Sequence, residues 1–168
     1  YKSQWHYKKH ILKELQKKDT SGFKQVETNP QLPTKEEMLK EAAGRAAIKS
    51  SNNTYEVQND YFNEYIKPRL SSLKDSQKDV DYSESVEYED LKLFIKMAKE
   101  QNIDIKLVSI PLHGKWSDYT GFSKEKRERY YENIRILAKD EKVELLDYSD
   151  HEYDPYFLKD IMHVGEKG

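Results

Sequence analysis

The chain contains no cysteine. That excludes thiol catalysis, thiolate metal sites and disulfides. It also lacks any apolar run approaching the roughly 18 residues that a membrane-spanning helix needs; charged side chains interrupt every apolar stretch. Glycine is scarce, six in 168 residues. None falls in a phosphate-binding P-loop or a Gly-x-Ser-x-Gly nucleophile elbow. An excess of one charge is missing too: 29 Lys and Arg stand against 31 Asp and Glu, a formal net of −2. The two signs are interspersed, so no basic stripe argues for nucleic acid. No signal peptide is visible. The chain starts at Tyr1, not Met, and the expectation is a fragment of a longer protein whose targeting, membrane and further catalytic segments lie upstream.

Aromatic surface, by contrast, is plentiful: 13 Tyr, 5 Phe and 2 Trp. With 36% charged and 36% hydrophobic residues, this predicts a small core wrapped in solvated helices, not a disordered chain. The length suits one domain.

Residues 3–18 carry Trp5, Ile11, Leu12 and Leu15 among lysines, an amphipathic pattern. His6 and His10 read as surface residues on it. Thr20-Ser21-Gly22 breaks the pattern, and 23–33, with Asn29-Pro30 and Leu32-Pro33, reads as an extended connector. Thr34-Lys35-Glu36-Glu37 matches a capping box, opening a helix to about Lys49. Asn52-Asn53-Thr54 is a glycosylation sequon of little diagnostic value. Tyr61, Phe62, Tyr65, Ile66, Leu70 and Leu73 continue helically, with Pro68 expected to kink or split the run.

The second half is more regular. Ser85 can cap a helix with Leu91, Phe94, Ile95 and Ala98 inward. Ile103 to Leu112 reads as a buried strand. Pro111 to Gly121 reads as a loop, and Ser123 starts a helix with Tyr130, Ile134 and Leu137 inward. Val143 to Tyr148 reads as a second buried strand. A mainly helical part, 1–84, thus precedes an αβαβ part, 85–168. That order predicts a parallel sheet with crossover helices. Ligands of such sheets bind beyond the carboxyl ends of the strands. The loop His113 to Tyr119 and the segment leading to Asp160 and His163 should therefore meet at one edge.

Asp160-Ile161-Met162-His163 is the chemical signal at that edge. Asp and His three apart can sit on one side of a helical turn. A carboxylate there can fix the tautomer of an imidazole that serves as a general base. The same spacing also fits a surface turn or a helix cap by Asp160. Metal binding by His151, Glu152, Asp154 and His113 is a competing reading, although these residues show no His-x-x-x-His spacing. A carboxylate pair of Asp160 with Asp118 or Asp154 is another. Trp116 and Tyr119 fit either a substrate wall or core closing the sheet edge, with Gly114 permitting close backbone approach. Ser109 and Ser117 sit in no recognisable nucleophile turn, so the nucleophile is expected before Tyr1.

Several stretches carry a family resemblance. They are residues 29–39 (Asn-Pro-Gln-Leu-Pro-Thr-Lys-Glu-Glu-Met-Leu), Tyr65-Ile66-Lys67-Pro68, Gly114-Lys115-Trp116-Ser117-Asp118-Tyr119-Thr120-Gly121, and Tyr153-Asp154-Pro155-Tyr156-Phe157 followed by Asp160-Ile161-Met162-His163. In these the chain resembles the C-terminal portion of the DltD family of D-alanyl-lipoteichoic acid biosynthesis proteins. The resemblance implies a three-layer α/β/α fold like that of SGNH hydrolases, of which this chain holds only part. It implies a membrane-anchored protein on the outer face of a Gram-positive cytoplasmic membrane, its anchor outside this chain. It implies Asp160 as orienter and His163 as base of a triad whose Ser also lies outside. The implied reaction moves D-alanyl esters onto lipoteichoic acid; the implied partners are that polymer, a D-alanyl donor and other membrane components of the pathway. No cofactor or metal is implied. Gly114, Lys115, Trp116, Asp118 and Tyr119 become candidates for substrate binding, with Asp118 suited to a cationic acyl group. Where family members commonly carry an aromatic, this chain has Glu166, which puts the packing beside His163 in question. The alternative to an enzyme is a non-catalytic module that binds teichoic acid or a pathway partner.

Overall fold

The computed structural model describes residues 33–168. The amphipathic pattern at 3–18, the break at 20–22 and all but the last residue of the connector lie outside the described residues. The body from Lys35 to Gly168 forms one compact unit. It opens with helix α1, Lys35–Lys49. A broken helical run, α2, follows over 59–73. Its parts are an α-turn Asn59–Tyr61, a π-turn Phe62–Ile66, a 3-10 turn Lys67–Arg69 and a final α-turn Leu70–Leu73. Pro68 is the cause expected from sequence: it has no N–H to give to the turn before it, so the ladder changes pitch around it. The Arg69 guanidinium donates to the Tyr65 carbonyl at 2.9 Å, covering a backbone acceptor there.

Helix α3, Glu87–Glu100, leads to strand β1, Lys106–Ser109. Ser85 accepts from the Glu87 amide at 3.3 Å, so the expected cap residue acts just ahead of the first turn. Helix α4, Gly114–Thr120, and helix α5, Lys124–Asp140, lead to strand β2, Glu144–Asp147. Ser123 caps α5 by accepting from the Lys126 amide at 3.3 Å. The strands pair in parallel, Lys106 with Glu144 through Ser109 with Asp147, as the αβαβ order predicts. The protein is therefore mixed α/β.

Four expectations need correction. Both strands are four residues long, not the longer runs read from the sequence. Neither is buried as expected: Val108 is 57% exposed, because helix α5 covers only one face of the pair. Phe94, read as inward, is 60% exposed; Ile95 and Ala98 are the buried positions of α3. The stretch 111–121, read wholly as loop, contains α4. His113 explains that miss. Its Nδ1 accepts from the Trp116 amide, a capping role that sequence rules assign to Ser, Thr, Asp or Asn.

The core nearest the site gathers Val57, Phe62, Ile66 and Trp116, with Tyr55, Tyr119 and Ile161 packed against it. Aromatic edges organise it: Tyr55 meets Trp116 edge-on at 5.4 Å and Tyr119 at 5.5 Å, the arrangement ring quadrupoles favour. The Asn53 carboxamide of the sequon both donates to and accepts from the Val57 backbone, which turns the chain into α2.

Candidate active site

The Asp160–His163 pair does not sit on a helical turn, as its spacing suggested. It occupies a tight loop closed by an antiparallel bridge between Leu158 and Val164. The Lys159 amide donates to the His163 carbonyl at 2.9 Å, and the Gly165 amide to the Phe157 carbonyl at 2.7 Å. The Gln58 amide donates to the Lys159 carbonyl at 2.8 Å, tying the loop to the start of α2. Glycine is required at 165, since a Cβ there would stand 2.8 Å from the Tyr156 carbonyl oxygen.

Inside this frame Asp160 does two jobs. Its Oδ1 accepts from the Met162 and His163 amides, both at 2.8 Å. Its Oδ2 lies 2.9 Å from His163 Nδ1. Turn capping and imidazole orientation, opposed as alternatives on sequence grounds, coexist. Burial of Asp160 favours its neutral acid, but the two amides and the imidazole outweigh that, and its pKa is held below the ordinary aspartate value. An ionised Asp160 only accepts, so in the neutral His163 ring Nδ1 carries the proton and Nε2 the lone pair. The His163 side chain is 63% exposed, and Nε2 has no hydrogen-bond partner among the described residues. A free, oriented lone pair at an open surface is what a general base requires.

The two loops beyond the strands do converge. The Tyr148 amide donates to the Ser109 carbonyl at 3.0 Å, and the Gly114 amide to the Glu152 carbonyl at 2.8 Å. A narrow cleft between them is lined by Glu56, His113, Lys115, His151, Tyr156 and Leu158. Ile161, inside the Asp-x-x-His motif, packs on the cluster that contains Trp116.

Each of the five substrate-binding candidates already has a structural partner. Gly114 lies under the Tyr153 ring, where a Cβ would approach to 2.7 Å. Lys115 pairs with Glu56 at 2.8 Å. Trp116 is buried in the core. Asp118 accepts from Arg127 at 3.1 Å and from the Tyr153 hydroxyl at 2.8 Å. Tyr119 donates to the Leu70 carbonyl at 2.7 Å. Asp118 and Asp154, the two acids weighed as partners for Asp160, pair instead with Arg127 and with His151 Nδ1 at 2.8 Å. The His151 ring stacks on Phe157 at 4.6 Å. His113 is buried, which pushes its pKa down and favours the neutral ring that caps α4. Among the described residues, no three His, Asp or Glu side chains gather as a cation-binding set, and no helix is long and apolar enough to cross a membrane. Glu166 turns away from aromatic packing: its carboxylate accepts from Arg45 at 2.7 Å and from Lys49, both on α1.

Sequence reasoning missed Arg127. Its guanidinium is wholly buried. Nε faces both Glu152 oxygens at 3.0 Å, Nη1 donates to Asp118 and to the Phe122 carbonyl, and Nη2 donates to the Tyr153 hydroxyl at 2.8 Å. Tyr131 extends the network by donating to Glu152 at 2.9 Å while accepting the Leu112 amide. One cation thereby joins α4, α5 and the segment after β2. The available signal was periodicity: 127, 131, 134 and 138 share one helical stripe, and a lone Arg on an apolar stripe points inward.

The DltD protein family model matches residues 1–168. Protein DltD of Bacillus subtilis (strain 168) is 37% identical over 119 residues, 71% of this chain and 30% of that protein. Protein DltD of Staphylococcus aureus (strain NCTC 8325 / PS 47) is 28% identical over 133 residues, 79% of this chain and 33% of that protein. Protein DltD of Lacticaseibacillus rhamnosus is 28% identical over 120 residues, 71% of this chain and 28% of that protein. The chain thus spans about a third of the length of the curated relatives it matches. On the match along its whole length, the chain belongs to the DltD family.

Proposed function

We propose that this chain supplies the acid–base half of a Ser-His-Asp site in a larger protein that moves D-alanyl esters onto lipoteichoic acid at the outer face of a Gram-positive cytoplasmic membrane. The fold reading that accompanies it is the three-layer α/β/α arrangement of SGNH hydrolases, completed by the rest of the polypeptide. The observation that carries the reading is the Asp160–His163 geometry: a buried, ionised carboxylate on Nδ1 and a free Nε2.

In this reading His163 Nε2 takes the hydroxyl proton of a serine outside the chain as that oxygen attacks the D-alanyl carbonyl. The proton passes to the departing group of the donor, leaving a seryl D-alanyl ester. Nε2 next removes a proton from a glycerol-phosphate hydroxyl of the polymer. That oxygen displaces the serine, which recovers its proton from the imidazolium. Asp160 stabilises the imidazolium in both half-reactions without itself being protonated.

His163→Ala in the full-length protein should lower D-alanyl ester incorporation by about 10⁶, the scale of losing a triad base, with its thermal melting unchanged. Incorporation within a few-fold of the parent would refute the base assignment. A fluorophosphonate probe should label the full-length protein in a His163-dependent way; no labelling at all would favour the non-catalytic binding module.

A further inference from the structure

A groove of about 420 Å³ opens between α3 and α5. It lies beyond the carboxyl end of β1: Leu112, just past the strand, forms its floor with Leu91 and Ile134. Parallel sheets take their ligands at this edge. Three tyrosines, Tyr82, Tyr88 and Tyr130, furnish the walls, and Glu87 stands with them. Aromatic walls with a few polar groups over an apolar floor are the usual make-up of a small-molecule site, and the volume is in the usual range.

The walls are held in place from outside the groove. Tyr82 meets Phe122 edge-on at 5.5 Å and Tyr130 at 6.3 Å. The Asn133 carboxamide donates to the Ser83 carbonyl at 2.9 Å, which pins the Tyr82 segment to α5. Burial, with Tyr88 and Tyr82 beside it, pushes the Tyr130 pKa up, so its hydroxyl stays neutral. The Tyr88 hydroxyl is buried and has no hydrogen-bond partner among the described residues. Such orphans are rare and call for a cause. The charge around the groove is negative. Nearby cations are already engaged: Arg129 with Asp81 and Glu125, Lys92 with Glu89, Lys126 with the Lys78 carbonyl. The side chains of Glu84, Glu87 and Asp90 have no ion-pair partner among the described residues. The α3 N-terminus carries about half a positive charge, and Glu87 and Asp90 in its first turn exceed it.

We propose that this groove binds a small organic ammonium ion, its charge set against the tyrosine rings and Glu87, with one N–H donated to the orphaned Tyr88 hydroxyl oxygen. Tyrosine faces attract cations, the more so where water is excluded. The floor of Leu91, Leu112 and Ile134 suits the short hydrocarbon body of an alkylammonium. A hard metal ion needs six or more oxygens, and the groove does not offer them. An anion would meet Glu87 and the unpaired acids beside it. A purely apolar ligand would leave the Tyr88 hydroxyl without a partner. The inference stands apart from the catalytic reading; the D-alanyl ammonium of that reading belongs to the same chemical class.

The test is an NMR titration of the full-length protein carrying ¹³C-labelled tyrosine, the Tyr88 and Tyr130 ring signals being identified with Tyr88→Phe and Tyr130→Phe. The probe is D-alanine methyl ester at pH about 6, where its amine is protonated. The control is methyl D-lactate, of the same shape without the charge. The ester should shift both ring signals saturably, and the lactate should bind about tenfold more weakly or worse, the scale of a partly desolvated cation–π contact. Tyr88→Phe and Glu87→Gln should each weaken the ester several-fold and leave the lactate unchanged. Equal binding of the two probes would show a merely apolar groove and overturn the proposal. So would the absence of a saturable shift at about 50 mM, where a ligand this small and of ordinary efficiency is largely bound; that result would mean that the rest of the polypeptide closes the groove. Because the first comparison uses the unsubstituted protein, a variant that fails to fold does not blunt it. Fluorophosphonate labelling through His163 is a separate readout, so failure here leaves the catalytic reading where it was.

Discussion

Asp160→Asn isolates the electrostatic role of the carboxylate from its role in the turn. An asparagine of the same shape can keep its carbonyl oxygen on the Met162 and His163 amides, both at 2.8 Å. Its NH₂ then occupies the place of Oδ2, 2.9 Å from His163 Nδ1. An NH₂ can only donate, so Nδ1 must accept and the ring proton moves to Nε2. The lone pair is then on the wrong nitrogen. A wrong tautomer in a triad lowers turnover by about 10⁴, or roughly 5.5 kcal/mol of transition-state free energy. Stability changes far less, by about 1 kcal/mol, since two charge-assisted bonds become neutral ones. Asp160→Ala removes the turn acceptors as well and should cost about 2 kcal/mol of stability, water replacing part of the loss at exposed Met162 and His163. The assay is base-releasable D-alanine on lipoteichoic acid, made by the full-length variant, alongside its thermal melting curve. If Asp160→Asn incorporates within tenfold of the parent at matched stability, the orienting role is wrong and the Asp belongs to the turn alone.

Two further outcomes follow from the ion pairs. Arg127→Met leaves the nearly buried Glu152 carboxylate without its cation, while half-exposed Asp118 turns to water, so it should destabilise by about 3–5 kcal/mol; an unchanged melting temperature would show that the network is dispensable. Glu166 is held down to about 2 by the side chains of Lys49 and Arg45. Its contribution is therefore complete above the ordinary glutamate range and disappears only as pH falls through about 2. An NMR titration of the Glu166 carboxyl giving a midpoint near or above about 4 would rule out the tether to α1.

The sequence disclosed the order of elements because periodicity and caps are local. Ser123, the α5 stripe and the Ile/Leu/Val runs at 103–112 and 143–148 act within a few residues of themselves. The parallel pairing followed from that order. Burial was not legible. Val108 and Phe94 are apolar by composition, and only the covering elements decide whether they meet water. The short helix α4 was hidden because a histidine caps it. Arg127 was hidden inside Lys-Glu-Lys-Arg-Glu-Arg, which reads as a solvated charge run until its stripe with Tyr131 and Ala138 is counted. The Asp160–His163 pair was found by spacing, yet the spacing named the wrong scaffold: hydrogen bonds from 157 to 165, not a helix, set its geometry.

Ile161 gives the motif a thermal character. This residue between Asp160 and His163 rests on the Trp116 cluster, so the spacing of the pair is inherited from the core beneath it. Sites carried on independent surface loops lose function well before their proteins unfold. Here the backbone between Asp160 and His163 is anchored on the core through Ile161. On the proposed reading, loss of the Asp160–His163 alignment and loss of the Val57–Phe62–Ile66–Trp116 core should be one cooperative event, with heat inactivation coinciding with global melting.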